Sequence, residues 1–265
     1  MNQFTVQSTR GITYYWVNEN AGKDDPCIVF THGMTADHTL FDKQIDFFKD
    51  NYKVITWDVP MHGKSRPYKK FTYHNASQEL KSILDAEDVK RAVLVGQSMG
   101  GYISQDFAVQ FPEIVTALVA VDSTPFGHFY YSKWERFILS KAAKMASWCP
   151  YKLLIKSMAK NATRTKYAYE NLYQSVSNLS KKEIIQIMSL VFNEFLKQKD
   201  TVKFEFPVLL IIGDSDKTGY VKKYNKSWEQ HTGYPLLVIS NAAHNSNVDN
   251  YQEFNRVVNT FLKGL

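Results

Sequence analysis

Ser98 stands between two glycines in Leu94-Val95-Gly96-Gln97-Ser98-Met99-Gly100-Gly101. An apolar run leads into the serine and a helical pattern leaves it. To lift Oγ clear of the chain, the backbone must turn sharply, and side chains two positions before and after would collide; Gly96 and Gly100 meet that demand. The helix that begins here aims its first N–H groups at the serine, so an oxyanion forming beside Ser98 would meet the amide of Met99. A serine hydroxyl is a weak nucleophile until a base takes its proton and a carboxylate orients the base. Of the seven histidines (32, 38, 62, 74, 128, 231 and 244), His244 is best placed. It follows an apolar strand, precedes the last helix, and has small neighbours, Ala242 and Ala243, that allow a close approach. The carboxylate comes from Gly213-Asp214-Ser215-Asp216, where Asp216 is the choice, Asp214 reads as a turn former, and Asp122 is a more distant alternative. Met34, in Thr31-His32-Gly33-Met34-Thr35, supplies a second backbone donor for the oxyanion. His32 shapes that loop.

These residues sit in an orderly alternation of strands and helices. Phe4–Val6 and Ile12–Val17 read as an antiparallel hairpin around Gly11. Strands are expected at Cys27–Gly33, Tyr52–Asp58, Arg91–Gly96, Val115–Asp122, Pro207–Asp216 and Pro235–His244. Helices are expected at about 37–50, 76–86, 98–110 and 220–231, with a last one ending near Leu262. Near-continuous Val/Ile/Leu runs separated by helices indicate a mainly parallel sheet covered on both faces. Residues 126–200 break the rhythm with helical patterns only. The expected division is an α/β core of 1–125 and 201–265 carrying an inserted helical cap of 126–200, above the carboxyl edge where ligands collect.

The chain has 265 residues with 44% hydrophobic and 14% aromatic content, enough to bury a large core. No apolar stretch approaches the ~20 residues of a membrane span. The N-terminal residues lack the basic and apolar regions of a signal peptide. Two isolated cysteines, Cys27 and Cys149, suggest reduced thiols and a cytoplasmic setting. No Cys/His cluster has metal-ligand spacing. The net charge of +6 is uneven: residues 126–200 hold thirteen Lys/Arg against five Asp/Glu, and the remainder nineteen against twenty-one. Either the inserted helices carry a solvated basic surface or they attract an anionic substrate; no nucleic-acid recognition motif accompanies the charge.

The motifs together resemble the α/β-hydrolase superfamily over most of the chain outside the insertion. The resemblance rests on His32-Gly33-Met34, on Asp58-Val59-Pro60-Met61-His62-Gly63-Lys64-Ser65, on Gly96 to Gly101, and on Asp216 with His244, in the order Ser, Asp, His. The second segment departs from the usual D-x-x-G-x-G-x-S at Met61 and His62. What the resemblance implies is a triad of Ser98, Asp216 and His244, an acyl-enzyme intermediate, and no metal or organic cofactor. A serine at position 98 argues against the dehalogenase and epoxide-hydrolase branches, whose nucleophile is an aspartate. The expected activity is hydrolysis of a carboxylic ester, thioester or lactone of modest size that can carry an acid group. The alternatives are a carbon–carbon bond hydrolase or lyase like the menaquinone-pathway synthase, and a ligand-binding receptor. Tyr102 stands where synthases of that kind carry arginine after the paired glycines.

Overall fold

The computed structural model describes residues 1–18 and 26–265. One eight-stranded sheet has the order β1-β2-β4-β3-β5-β6-β7-β8. Its strands are β1 (Asn2–Ser8), β2 (Gly11–Val17), β3 (Cys27–Thr31), β4 (Lys53–Trp57), β5 (Ala92–Gln97), β6 (Val115–Val121), β7 (Val208–Gly213) and β8 (Leu236–Ile239). β1 pairs antiparallel with β2, and β2 antiparallel with β4; every later pairing is parallel. This is the mainly parallel sheet that the alternating runs implied.

The continuous apolar runs follow from burial on both faces. β3, β4, β5 and β7 are buried along their whole length. Because side chains alternate across a strand, Val29, Ile55 and Leu94 point to one face while Ile28, Val54 and Val93 point to the other. The first face is covered by α2 (Tyr73–Ala86), α3 (Met99–Gln110) and α8 (Val221–Thr232), which contribute Leu80, Ile103 and Trp228. The second is covered by α1 (Asp42–Phe48) and α10 (Tyr251–Leu262), which contribute Phe48 and Phe254. Helix boundaries moved where caps decide them. Thr72 accepts from Asn75 N and starts α2 three residues before the expected Ala76. Residues 38–41 form a 3₁₀ turn ahead of α1, capped by Asp37. The strand expected at Pro235–His244 ends at Ile239, and the rest is the loop that carries His244.

Four helices lie between β6 and β7: α4 (Lys133–Ser147), α5 (Tyr151–Ala162), α6 (Lys166–Ser177) and α7 (Lys181–Lys197). α4 and α7 each open on a Ser-x-x-Glu capping box, Ser132 with Glu135 and Ser180 with Glu183. Ile155, Val176, Ile187 and Phe195 extend the first apolar cluster into this layer. A short helix, α9 (Ser246–Asp249), follows His244. Among the described residues no helix is long and apolar enough to cross a membrane, no His/Cys/Asp/Glu group could hold a metal ion, and Cys27 and Cys149 are unpaired.

Candidate active site

The parallel register brings five strand ends to one level. Thr31 pairs with Gly96, Gln97 with Val121, Val121 with Ile211, and Gly213 with Ile239. The residues that follow these ends are Met34, Ser98, Asp122, Asp216 and His244. β3 and β5 are neighbours, although β4 lies between them in the chain, so Met34 and Ser98 leave the sheet at its topological switch point.

Ser98 sits at φ 50° and ψ −115°, outside the comfortable regions for an L-residue, as the N-cap of α3. Its backbone is pinned by Ser98 N donating to Val121 O at 2.8 Å and by Ser123 Oγ donating to Ser98 O at 2.8 Å. The flanking glycines are steric necessities. A Cβ on Gly96 would stand 2.6 Å from the Gly100 carbonyl carbon, and one on Gly100 would stand 2.6 Å from the Thr31 carbonyl carbon.

Ser98 Oγ lies 2.9 Å from His244 Nε2, and His244 Nδ1 lies 2.8 Å from Asp216 Oδ2. Asp216 Oδ1 also accepts from Thr218 N at 2.7 Å. Burial pushes the imidazole pKa down, but the charge and hydrogen bond of Asp216 outweigh it and hold His244 above the ordinary histidine value. Burial alone would raise the Asp216 carboxyl, and the His244 charge and hydrogen bond keep it below its ordinary value. The arrangement can pass a proton from a hydroxyl to an imidazole whose positive form is stabilised by a buried carboxylate.

The two other carboxylates weighed from sequence have separate positions. Asp214 accepts from Asn241 N at 2.9 Å and from Ala242 N at 3.1 Å, tying the β7 loop to the His244 loop. Asp122 accepts from Gly213 N at 2.8 Å and from Ser246 N at 2.9 Å, bridging the same two loops from beneath. Burial pushes its carboxyl up to about 7, against the nearby His244 charge.

Met99 is the first residue of α3, so its N–H has no acceptor within the helix. Met34 and Met99 both border the cavity beside Ser98. The Met34 loop is held by its neighbours: His32 Nε2 accepts from Val59 N at 3.0 Å, and Nδ1 donates to Gly33 O at 2.8 Å. Burial lowers the His32 pKa, in keeping with a neutral ring that braces the loop. The unusual Met61-His62 pair is accommodated by a turn with Met61 at φ 72°, closed by Asp58 Oδ2 accepting from Lys64 N at 2.6 Å.

Three residues of the site carried no signal in the sequence. Gln97 Nε2 donates to His244 O at 2.7 Å. Asn245 N donates to Ala162 O at 2.9 Å. The buried Asp249 carboxylate accepts from Ala243 N at 2.9 Å, from Arg164 N at 2.9 Å and from Thr165 N at 2.8 Å. The loop that bears His244 is therefore fastened to the end of α5 and the start of α6. Apart from the bond between Asp249 and Ala243, these contacts span more than eighty positions and leave no local pattern to read.

A cavity of about 480 Å³ opens onto Ser98 and His244. Leu139 of α4, Met158 of α5, Leu172 of α6 and Met188, Val191 and Phe192 of α7 line it. Its charged residues besides Asp122 are engaged elsewhere. Arg136 donates to His128 O and Tyr131 O at 3.1 and 2.8 Å, and Glu135 pairs with Lys223 at 2.7 Å.

The sequence profile of the alpha/beta hydrolase fold family matches residues 26–251. An uncharacterized hydrolase of Bacillus subtilis, YugF, is 32% identical over 152 residues, which cover 51% of this chain and 54% of that protein. The chain thus aligns with about half the length of that relative. A 3-oxoadipate enol-lactonase of Acinetobacter baylyi is 22% identical over 263 residues, with 94% of this chain and 93% of the relative covered. The crystal structure of a hydrolase from Pseudomonas aeruginosa superposes with a TM-score of 0.82 at 18% identity, covering 98% of both chains. The chain belongs to the α/β-hydrolase fold family.

Proposed function

We propose that this α/β hydrolase is a serine esterase that cleaves a carboxylic ester, thioester or lactone of a small molecule with an apolar acyl group. The observation that carries the reading is the Ser98 Oγ–His244 Nε2–Asp216 hydrogen-bonded series, 2.9 and 2.8 Å long, at the floor of an apolar cavity. Ser98 Oγ attacks the acyl carbon as His244 Nε2 takes its proton. Asp216 holds the imidazole by Nδ1 and offsets its charge. The Met99 and Met34 amides receive the oxyanion, each contributing about 3 kcal/mol to the transition state. Protonated His244 gives its proton to the leaving alkoxide, thiolate or lactone oxygen. Water then attacks the acyl-enzyme with His244 again as base, and the acid departs.

We read 126–200 as the cap of a core formed by 1–125 and 201–265. The lysines of the cap are exposed apart from half-buried Lys181, and none lines the cavity; the two charged cap residues on the cavity wall, Glu135 and Arg136, are engaged elsewhere, so the reading favours an apolar acyl group over an acidic one. Tyr102, which borders the cavity and bonds Thr124 Oγ1 at 2.9 Å, favours ester hydrolysis over the lyase alternative that resemblance associates with arginine there. The unpaired cysteines suit a cytoplasmic setting. The test is release of p-nitrophenol from a short acyl ester. The wild type turns over and Ser98→Ala falls by about 10⁴-fold or more; equal rates in the two would refute the reading.

A further inference from the structure

We propose that the outer face of α4 docks on an anionic phospholipid surface, a role independent of the chemistry at Ser98. α4 has no fully buried residue. Its exposed large apolar side chains form a stripe: Trp134, Phe137, Ile138, Met145 and, at the C-cap, Trp148 fall within an arc of about 100° when wound at 100° per residue. Trp134 is 67% exposed and Trp148 is 74% exposed. An aqueous surface has no use for two tryptophans, a phenylalanine and a methionine on one exposed helix face. Trp134 and Phe137 stack at 5.5 Å between ring centroids, making a flat aromatic plate. Indole rings favour the level of lipid headgroups, where one end is apolar and the other wet.

The charge around the stripe has one sign. Residues 133–160 hold seven Lys/Arg and a single acid, Glu135. Glu135 faces away, paired with Lys223 of α8 at 2.7 Å. Lys141 lies inside the stripe with Nζ 5.4 Å from the Phe137 ring, placed for its ammonium to reach past the aromatic plate to a phosphate. Lys133 and Lys144 flank one side, and Lys152 and Lys156 of the following helix, α5, are exposed. Aromatic and basic residues on one exposed helix face are what an interfacial helix presents to anionic lipid. A second copy of this chain fits poorly, because a two-fold contact would set lysines against lysines. The stripe also borders the cavity: Ile138 is exposed on the outside and lines the wall within, so a docked α4 would hold the entrance close to the lipid.

The full chain is sedimented with vesicles of phosphatidylcholine alone and of phosphatidylcholine mixed equally with phosphatidylglycerol, beside a soluble p-nitrophenyl ester assay of the same preparations. The wild type pellets with the mixed vesicles, more weakly as salt rises, and stays in solution with the neutral ones. Trp134→Ser/Trp148→Ser and, separately, Lys141→Glu/Lys144→Glu reduce partitioning by about tenfold or more and keep soluble-ester turnover. Wild type that stays in the supernatant with mixed vesicles overturns the proposal, whether or not it hydrolyses the ester. So does equal binding by the variants, or a concentration-dependent dimer in light scattering that the tryptophan variant abolishes. Absence of ester turnover with vesicle binding intact would count against the esterase reading alone.

Discussion

In the proposed reaction His244 must be unprotonated to take the Ser98 proton, and burial and two carboxylates set when that holds. Burial lowers its pKa, the adjacent Asp216 raises it, and Asp122 raises it further. The net is a value above the ordinary ~6.5 of histidine. Activity is therefore lost as pH falls through that raised value, and the acid limb of kcat/KM is expected to be centred above pH ~6.5. Asp216→Asn removes the largest favourable contribution, so the limb moves to lower pH while kcat falls by about 10⁴-fold. A pH–rate series on a short ester checks both; an unchanged limb in the variant would remove Asp216 from its role. Ser98, His244 and Asp216 were legible because each carries a local mark: a glycine-flanked turn, a small-residue loop before the last helix, a carboxylate after a strand. Asp122, the more distant alternative, was legible as a carboxylate at a strand end, but its partners were not. It meets two backbone amides, Gly213 and Ser246, which only the three-dimensional crossing of β6 beneath the two loops supplies.

Two elements meet behind the serine with no room between them. The α3 N-terminus rests on the end of β3, and a Cβ at Gly100 would stand 2.6 Å from the Thr31 carbonyl carbon and 2.8 Å from the His32 carbonyl oxygen. Gly100→Ala is expected to cost about 2 kcal/mol or more, because backbone on both sides must shift. At this chain length that lowers Tm by about 4 °C or more in calorimetry. An unchanged Tm would show that the approach is looser. A second joint ties the His244 loop to α5 and α6 through Asp249. Asp249→Ala leaves the amides of Ala243, Arg164 and Thr165 without their acceptor and lets the loop drift. A loss of about 10- to 100-fold in kcat/KM is expected, because displacement of a reacting group by about 1 Å costs that much. Steady-state kinetics on the variant, with circular dichroism to verify folding, tests it. Strands and helices were readable from periodicity, since burial on both faces leaves continuous apolar runs. Their ends were not, since caps such as Thr72 and the early stop of β8 at Ile239 depend on single hydrogen bonds and on the edge position of the strand.

The whole molecule places the four helices between β6 and β7 so that apolar residues from each reach the cavity above Ser98. The aromatic and basic character of residues 126–200 was visible from the start; which side chains turn inward was not, because it depends on how α4 packs against α7. Met188, Val191 and Phe192 face the cavity, whereas Trp134, Phe137 and Trp148 stand outside it. A cavity with this lining should reward acyl length. Across p-nitrophenyl esters, each added methylene is expected to raise kcat/KM by about fourfold until the cavity is full, the worth of ~0.8 kcal/mol per buried CH₂. Met188→Trp should move the optimum to shorter chains. A flat series would show that the acyl group lies elsewhere.

The most direct measurement is labelling of the purified protein with a fluorophosphonate probe, followed by digestion and mapping of the modified peptide. One equivalent on Ser98, slowed sharply in His244→Ala and absent in Ser98→Ala, is the expected result. Labelling at another residue, or none while the protein still hydrolyses esters at the same rate without Ser98, would contradict it.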